Sequence, residues 1–244
     1  MKQYPDLRER LNMTYTELTN KTFSRGPDDL PELVCNTTVF PDYLALYSEL
    51  SLYHRSSMTG VCFYEYDSDM DSIHGLYEAI YHNDRHLLAT YRKRFEGIPF
   101  FITPDYSQCG DAHVIENKHR LLRSRIVGLW LIHEIGAVVI PHITFARLPD
   151  INYALTGFEK CSVVAFSTKG YVKDQVEREC LITAVKAATD NLPLKAIVVY
   201  DVCAGNEHVE QLFEYPKSRG IRIIVPMNTL KERNMLKLQG GEPE

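Results

Sequence analysis

The sequence predicts an α/β protein built on a mostly parallel sheet of about six strands. Three observations carry this. Short apolar runs such as Ile98–Thr103 and Ala196–Val199 look like strands buried on both faces. Amphipathic stretches of helical period separate most of them, and such alternation demands right-handed crossovers. Several runs stop abruptly at polar residues, as strands do when they feed one rim, so a partial or complete barrel-like sheet is preferred over an open doubly wound sheet.

A chain of 244 residues suffices for one large domain with a smaller appendage. Apolar residues make up 45% and charged residues 24%, a globular composition, and the net charge of −5 gives no general reason to expect nucleic-acid binding. No run approaches the roughly 18 apolar residues of a membrane helix, and the polar start lacks a signal peptide. A cytoplasmic protein with no membrane partner is expected. The six cysteines form no CxxC pair, which argues for reduced thiols and against a structural zinc site.

Residues 1–58 read as an irregular, tyrosine-rich extension, with a short helix after Pro41 over 42–52. The α/β domain then spans 59–230. A first strand over 61–66 precedes a helix over 73–95, interrupted at Asn83-Asp84. The strand at 98–103 leads to a long helix from about Asp111 to Ile135, closed by Gly136 at its C′ position. Strands follow at 137–141, 162–167, 196–200 and 222–226, with helices at 174–190 and 208–215. Residues 231–244 read as a polar tail that frays.

Carboxylate and imidazole side chains at strand ends are candidates for acid–base roles, because a rigid element holds them at a rim where α/β proteins bind ligands. Asp105 and His142 each directly follow a strand, and the carboxylate is expected to orient or activate the imidazole. The alternative roles are a turn or helix cap for Asp105 and a satisfied structural histidine for His142. Tyr106 and Ser107 accompany Asp105. Ser167-Thr168-Lys169-Gly170 combines small hydroxyls, a lysine and a glycine, a turn suited to an anionic group, although the spacing is not that of a P-loop. Asp201 also ends a strand, and two rim carboxylates could share a divalent cation. Arg123 and Arg125 lie two apart on a helix and point to different faces, so one could hold an anion bidentately while the other ion-pairs. Arg85, Arg92, Lys93 and Arg94 form the densest basic run, read as a solvated face or a phosphate contact. Cys109 stands near the same rim.

The runs ITPDYS (102–107), Arg123-Ser-Arg125, GAVVIPHITF (136–145), TGFEKCSVVAFSTKG (156–170) and LKAIVVYD (194–201) resemble the bacterial and phage family called domain of unknown function 4417. That family carries SPDFS, RxR, GxxVIPNxxW, STxG and YG in the same order, and the resemblance covers residues 60–226. His142, Phe145 and Asp201 stand where the family more often has Asn, Trp and Gly. The resemblance implies a shared fold and an origin in a phage or other mobile element, and it brings no reaction. The expected function is an accessory protein that binds a small polar, anionic ligand at the carboxyl ends of its strands. The alternative is a non-catalytic protein that binds a host protein or nucleic acid through its tyrosine-rich N-terminal region. No HExxH, GxSxG, GxGxxG or CxxxCxxC motif points to a particular cofactor.

Overall fold

A computed structural model describes residues 7–240. A small antiparallel hairpin, β1 (Ser24–Arg25) with β2 (Leu30–Pro31), precedes seven parallel strands. These are β3 (Tyr43–Leu46), β4 (Thr59–Cys62), β5 (Phe100–Ile102), β6 (Val138–Ile140), β7 (Val163–Ser167), β8 (Ala196–Tyr200) and β9 (Arg222–Ile224). Every pairing among the seven is parallel, as the helix–strand alternation predicts.

The strands do not join one sheet or close a barrel. They form a four-stranded ladder, β3-β4-β5-β6, and a three-stranded ladder, β7-β8-β9. The ladders touch at single parallel bridges, His142 with Ala165 and Tyr43 with Met227. The physical reason is local. Pro141 follows β6 directly and Pro226 lies two residues past β9, and proline has no N–H to extend a ladder. The His142 N–H turns inward to Thr103 Oγ1 at 2.8 Å instead of continuing the pairing.

The segment expected to be helical over 42–52 instead supplies β3, buried in the core, with a 3₁₀ turn only at Leu50–Leu52. Leu44 is fully buried and its N–H donates to Met227 O at 2.8 Å. Tertiary pairing thus overrides a weak local pattern. The N-terminal region is therefore part of the sheet.

The helical stretch after β4 breaks where expected. Helices Leu76–Tyr81 and Arg85–Arg94 flank Asn83, which holds φ +51°, and Asp84 caps the second by accepting from the His86 and Leu87 N–H groups. The long helix starts at Val114 rather than Asp111, runs to Trp130 and continues as a π-helical turn, Leu131–Ile135. It ends at Gly136, whose φ of +74° suits the C′ position. Gly128 lets this helix meet the core closely, since a Cβ there would lie 2.9 Å from Leu33 Cδ1 and 3.0 Å from Thr103 Cγ2. The helix Gln175–Asn191 buries Leu181, Ala184, Val185 and Ala188, one helical stripe, and Asp174 caps its start.

Beyond β9 the chain does not fray at once. Thr229–Leu238 is a helix capped by Asn228, whose Oδ1 accepts from the Lys231 N–H at 3.0 Å. Only the final residues of the expected tail lie outside the described residues.

Candidate functional site at the carboxyl ends of the strands

Asp105, Ser107, Ser167, Lys169 and Gly170 line one cavity of about 200 Å³, together with Tyr64, Glu65 and Tyr66. The residues come from the chain just past β4, β5 and β7, all at carboxyl ends of parallel strands.

His142 lies behind Asp105 and does not line the cavity. Its Nε2 is 3.4 Å from Asp105 Oδ1, and its side chain is 5% exposed against 28% for Asp105. Its Nδ1 is 3.0 Å from Tyr64 Oη. Burial pushes the Tyr64 phenol well above its usual pKa, so it keeps its proton. The imidazole thus stands between the Tyr64 hydroxyl and the Asp105 carboxylate. Here Asp105 faces the cavity, and the histidine, held edge-on to Tyr64 with ring centres 5.0 Å apart, positions the carboxylate.

Burial by itself would raise the Asp105 pKa. The charge and hydrogen bond of His142, the Thr144 hydroxyl and the charge of Lys169 outweigh it, and the carboxyl lies below its usual 3.8. A lowered carboxyl pKa stabilises the fold above the unfolded value, near 4, and the contribution vanishes as pH falls through the folded value. Unfolding of wild type and Asp105→Asn, measured from about pH 5 down to about pH 2, should therefore converge on the acid side. Parallel curves would show that Asp105 is not coupled to its neighbours.

Lys169 Nζ donates to Tyr64 O at 2.5 Å, and the Lys169 N–H donates to Ser167 Oγ at 3.0 Å. Gly170 holds φ +92° with nothing within 4 Å of a Cβ position, so the backbone there is open. Glu65 Oε1 accepts from Ser48 Oγ at 2.5 Å and Oε2 from the Ser48 N–H at 2.9 Å.

Asp201 and Thr168 belong to a different cluster. Asp201 is fully buried, and its Oδ2 receives Lys231 Nζ at 2.5 Å while Oδ1 accepts from Thr168 Oγ1 at 2.9 Å. Lys231 also donates to Cys203 O at 2.9 Å. The carboxylate is thereby satisfied internally and does not join Asp105 around a cation. Among the described residues no three His, Cys, Asp or Glu side chains gather as a metal-binding group.

Arg123, Arg125 and Tyr106 are likewise drawn inward, away from the cavity. Arg123 pairs with Asp71 and stacks over Tyr77 and Tyr106, with Cζ 4.4 Å and 4.7 Å from the ring centres. Tyr106, 2% exposed, is the floor of that sandwich. Arg125 is 2% exposed, stacks on Phe158, and donates through one nitrogen to Thr156 O at 2.9 Å and Ala154 O at 3.3 Å. Half of the basic run is tied down, while Arg85 and Lys93 are exposed. Arg92 pairs with Glu134 at 2.8 Å, and Arg94 donates to Tyr47 O and Tyr53 Oη. Cys109 is exposed and outside the cavity, its N–H and C=O tied to Asn117.

Tyr64, Glu65, Tyr66 and Lys231 carry roles that the sequence reading missed. The first three lie just past β4, after Phe63, so the strand-end rule that selected Asp105 applies equally to them. Lys231 sits in a stretch whose composition reads as a tail, and only its burial against Asp201 reveals it.

The arrangement defines a parallel α/β protein with a Tyr–His–carboxylate chain opening on a small cavity at its strand ends. The chain belongs to the family described as Domain of unknown function (DUF4417), whose profile matches residues 23–216. The match reaches further toward the N-terminus than the motif resemblance, and it takes in β3 and the hairpin. No curated protein matches the chain. Among the described residues no helix is long and apolar enough to cross a membrane.

Proposed function

We propose that the cavity past β4, β5 and β7 binds a small polar ligand and that Asp105 accepts a proton or hydrogen bond from it. The observation that carries this reading is the convergence of Asp105, Ser107, Ser167, Lys169 and Gly170, from two separate loops, on one cavity. Single bridges at both edges of the two ladders support a barrel-like reading of the sheet, with these ends as one rim. The charges favour a ligand of mixed character. Lys169 and the open backbone at Gly170 suit an acidic group, whereas Asp105 and Glu65 suit a hydroxyl or ammonium group beside it. An amino acid or hydroxy acid has that distribution.

The N-terminal tyrosines do not favour the alternative of a protein- or nucleic-acid-binding surface. Tyr43, Tyr47 and Tyr53 are all under 7% exposed and pack in the core, Tyr15 stacks on Tyr81, and Tyr4 lies outside the described residues.

Thermal titration against a panel of amino acids and hydroxy acids should raise the melting temperature for at least one member. Asp105→Asn should weaken that ligand by at least about tenfold, roughly 1.4 kcal/mol, without lowering ligand-free stability at neutral pH by more than about 1 kcal/mol. His142→Asn retains a donor and imitates the family's usual residue, so it should weaken binding less. Equal affinity in wild type and Asp105→Asn, or no stabilisation by any member of the panel, would overturn the proposal.

A further inference from the structure

The opposite end of the three-stranded ladder holds a second cavity, of about 310 Å³, lined by Asn36, Thr38, Phe40, Ser162, Lys195 and Arg222 among others. Its floor is set by register. Val163, Ala196 and Arg222 are the first residues of β7, β8 and β9 and lie side by side across the sheet. No carboxylate lines it, in a chain with 32 acidic and 27 basic residues. Neither Lys195 nor Arg222 is paired with a carboxylate among the described residues. Arg222 is steadied by Phe40, its Cζ lying 5.3 Å from the ring centre. Ser162 is 9% exposed, and its N–H donates to Asn36 Oδ1 at 2.9 Å. That bond uses the acceptor of the Asn36 amide and leaves its two N–H donors. The Ser162 hydroxyl makes no hydrogen bond among the described residues. Two cations, an amide and a nearly buried hydroxyl thus surround one space with donors and no negative charge.

We propose that this cavity is an anion site for a small phosphate monoester, with Arg222 and Lys195 on the phosphate and Asn36 and Ser162 completing its shell. A guanidinium fits the phosphate oxygens bidentately, and a lysine adds a point charge. The space exceeds that of phosphate alone, which leaves room for a sugar beside Phe40 and Thr38. The site lies at the amino ends of the strands, so it is independent of the cavity at Asp105.

Calorimetric titration of the full chain with ribose 5-phosphate, inorganic phosphate and ribose tests it. Ribose 5-phosphate should bind most tightly, phosphate less, and ribose undetectably, with affinity falling as salt rises. Arg222→Ala and Lys195→Ala should each weaken ribose 5-phosphate by at least about tenfold, and Asp105→Asn should leave it unchanged. Both side chains are exposed, so melting temperatures of the variants should match wild type. The absence of binding by either phosphate, or unchanged affinity in the Lys195→Ala/Arg222→Ala double variant, overturns the site. Phosphate binding as tightly as its ester overturns the monoester assignment.

Discussion

Lys231→Met should cost about 3–5 kcal/mol of stability, because it strands a carboxylate in the interior. Asp201 is 0% exposed and Lys231 is 5% exposed, so neither charge has water to fall back on. The ammonium lies 2.5 Å from Asp201 Oδ2 and 2.9 Å from Cys203 O, and both acceptors lose their donor in the variant. The Thr168 hydroxyl and the Cys203 N–H, at 2.9 Å and 3.2 Å from Oδ1, remain but do not neutralise the charge. For a chain of this size the loss corresponds to a melting temperature lower by roughly 6–20 °C. The double change Asp201→Asn/Lys231→Met removes both charges and should recover a large part of the loss, since the pair's attraction largely offsets its own desolvation. A double variant as unstable as the sum of its single changes would show that the two residues act separately. The pair also explains why the C-terminal helix is ordered. Lys231 in its first turn reaches the end of β8, and Asn228 Nδ2 donates to Asp201 O at 2.8 Å beside it.

Arg125→Ala should cost about 2–4 kcal/mol, from two orphaned carbonyls and a cavity on Phe158. The guanidinium bonds Ala154 O and Thr156 O, the end of the helix Ile151–Leu155 and the turn before β7. Among the described residues no carboxylate pairs with it, burial lowers its pKa, and a second nitrogen, Nη1, has no partner. A charge held this way is expensive as well as useful. Arg125→Met fills much of the same volume and deletes the charge, so it should be less destabilising than Arg125→Ala by at least about 1 kcal/mol. Arg125→Lys should not rescue, because one ammonium on a flexible stem does not reproduce the planar fork. Urea unfolding of the three variants orders them. Arg125→Ala as stable as wild type would mean that the turn at Thr156 holds without the arginine.

Sequence period and composition determined the parallel α/β class, because strands buried on both faces must be continuously apolar and their crossovers helical. Local chemistry determined some ends of elements, though not the start of the long helix, expected at Asp111 and found at Val114. The Asp84 and Asp174 caps and the left-handed Gly136 depend on neighbours within four residues, which a linear reading contains. The same holds for the rim. Asp105, Ser107, Ser167 and Lys169 share a cavity because parallel strands point their carboxyl ends one way.

Only tertiary structure decided the rest. The stretch 43–46 became a strand because it pairs with β4 on one side and bridges to Met227, 181 residues or more away in sequence, on the other. The split into two ladders followed from where Pro141 and Pro226 fall relative to neighbouring strands. Asp105 and Asp201 look alike in sequence, each a carboxylate just past an apolar run. One opens on a cavity, and the other is buried against Lys231 from a helix that composition reads as tail. Arg123 and Arg125, two residues apart, went to an aromatic sandwich and to a pair of backbone carbonyls. Side-chain partners distant along the chain set those fates, and charge pairing and burial act through space, which a sequence does not display.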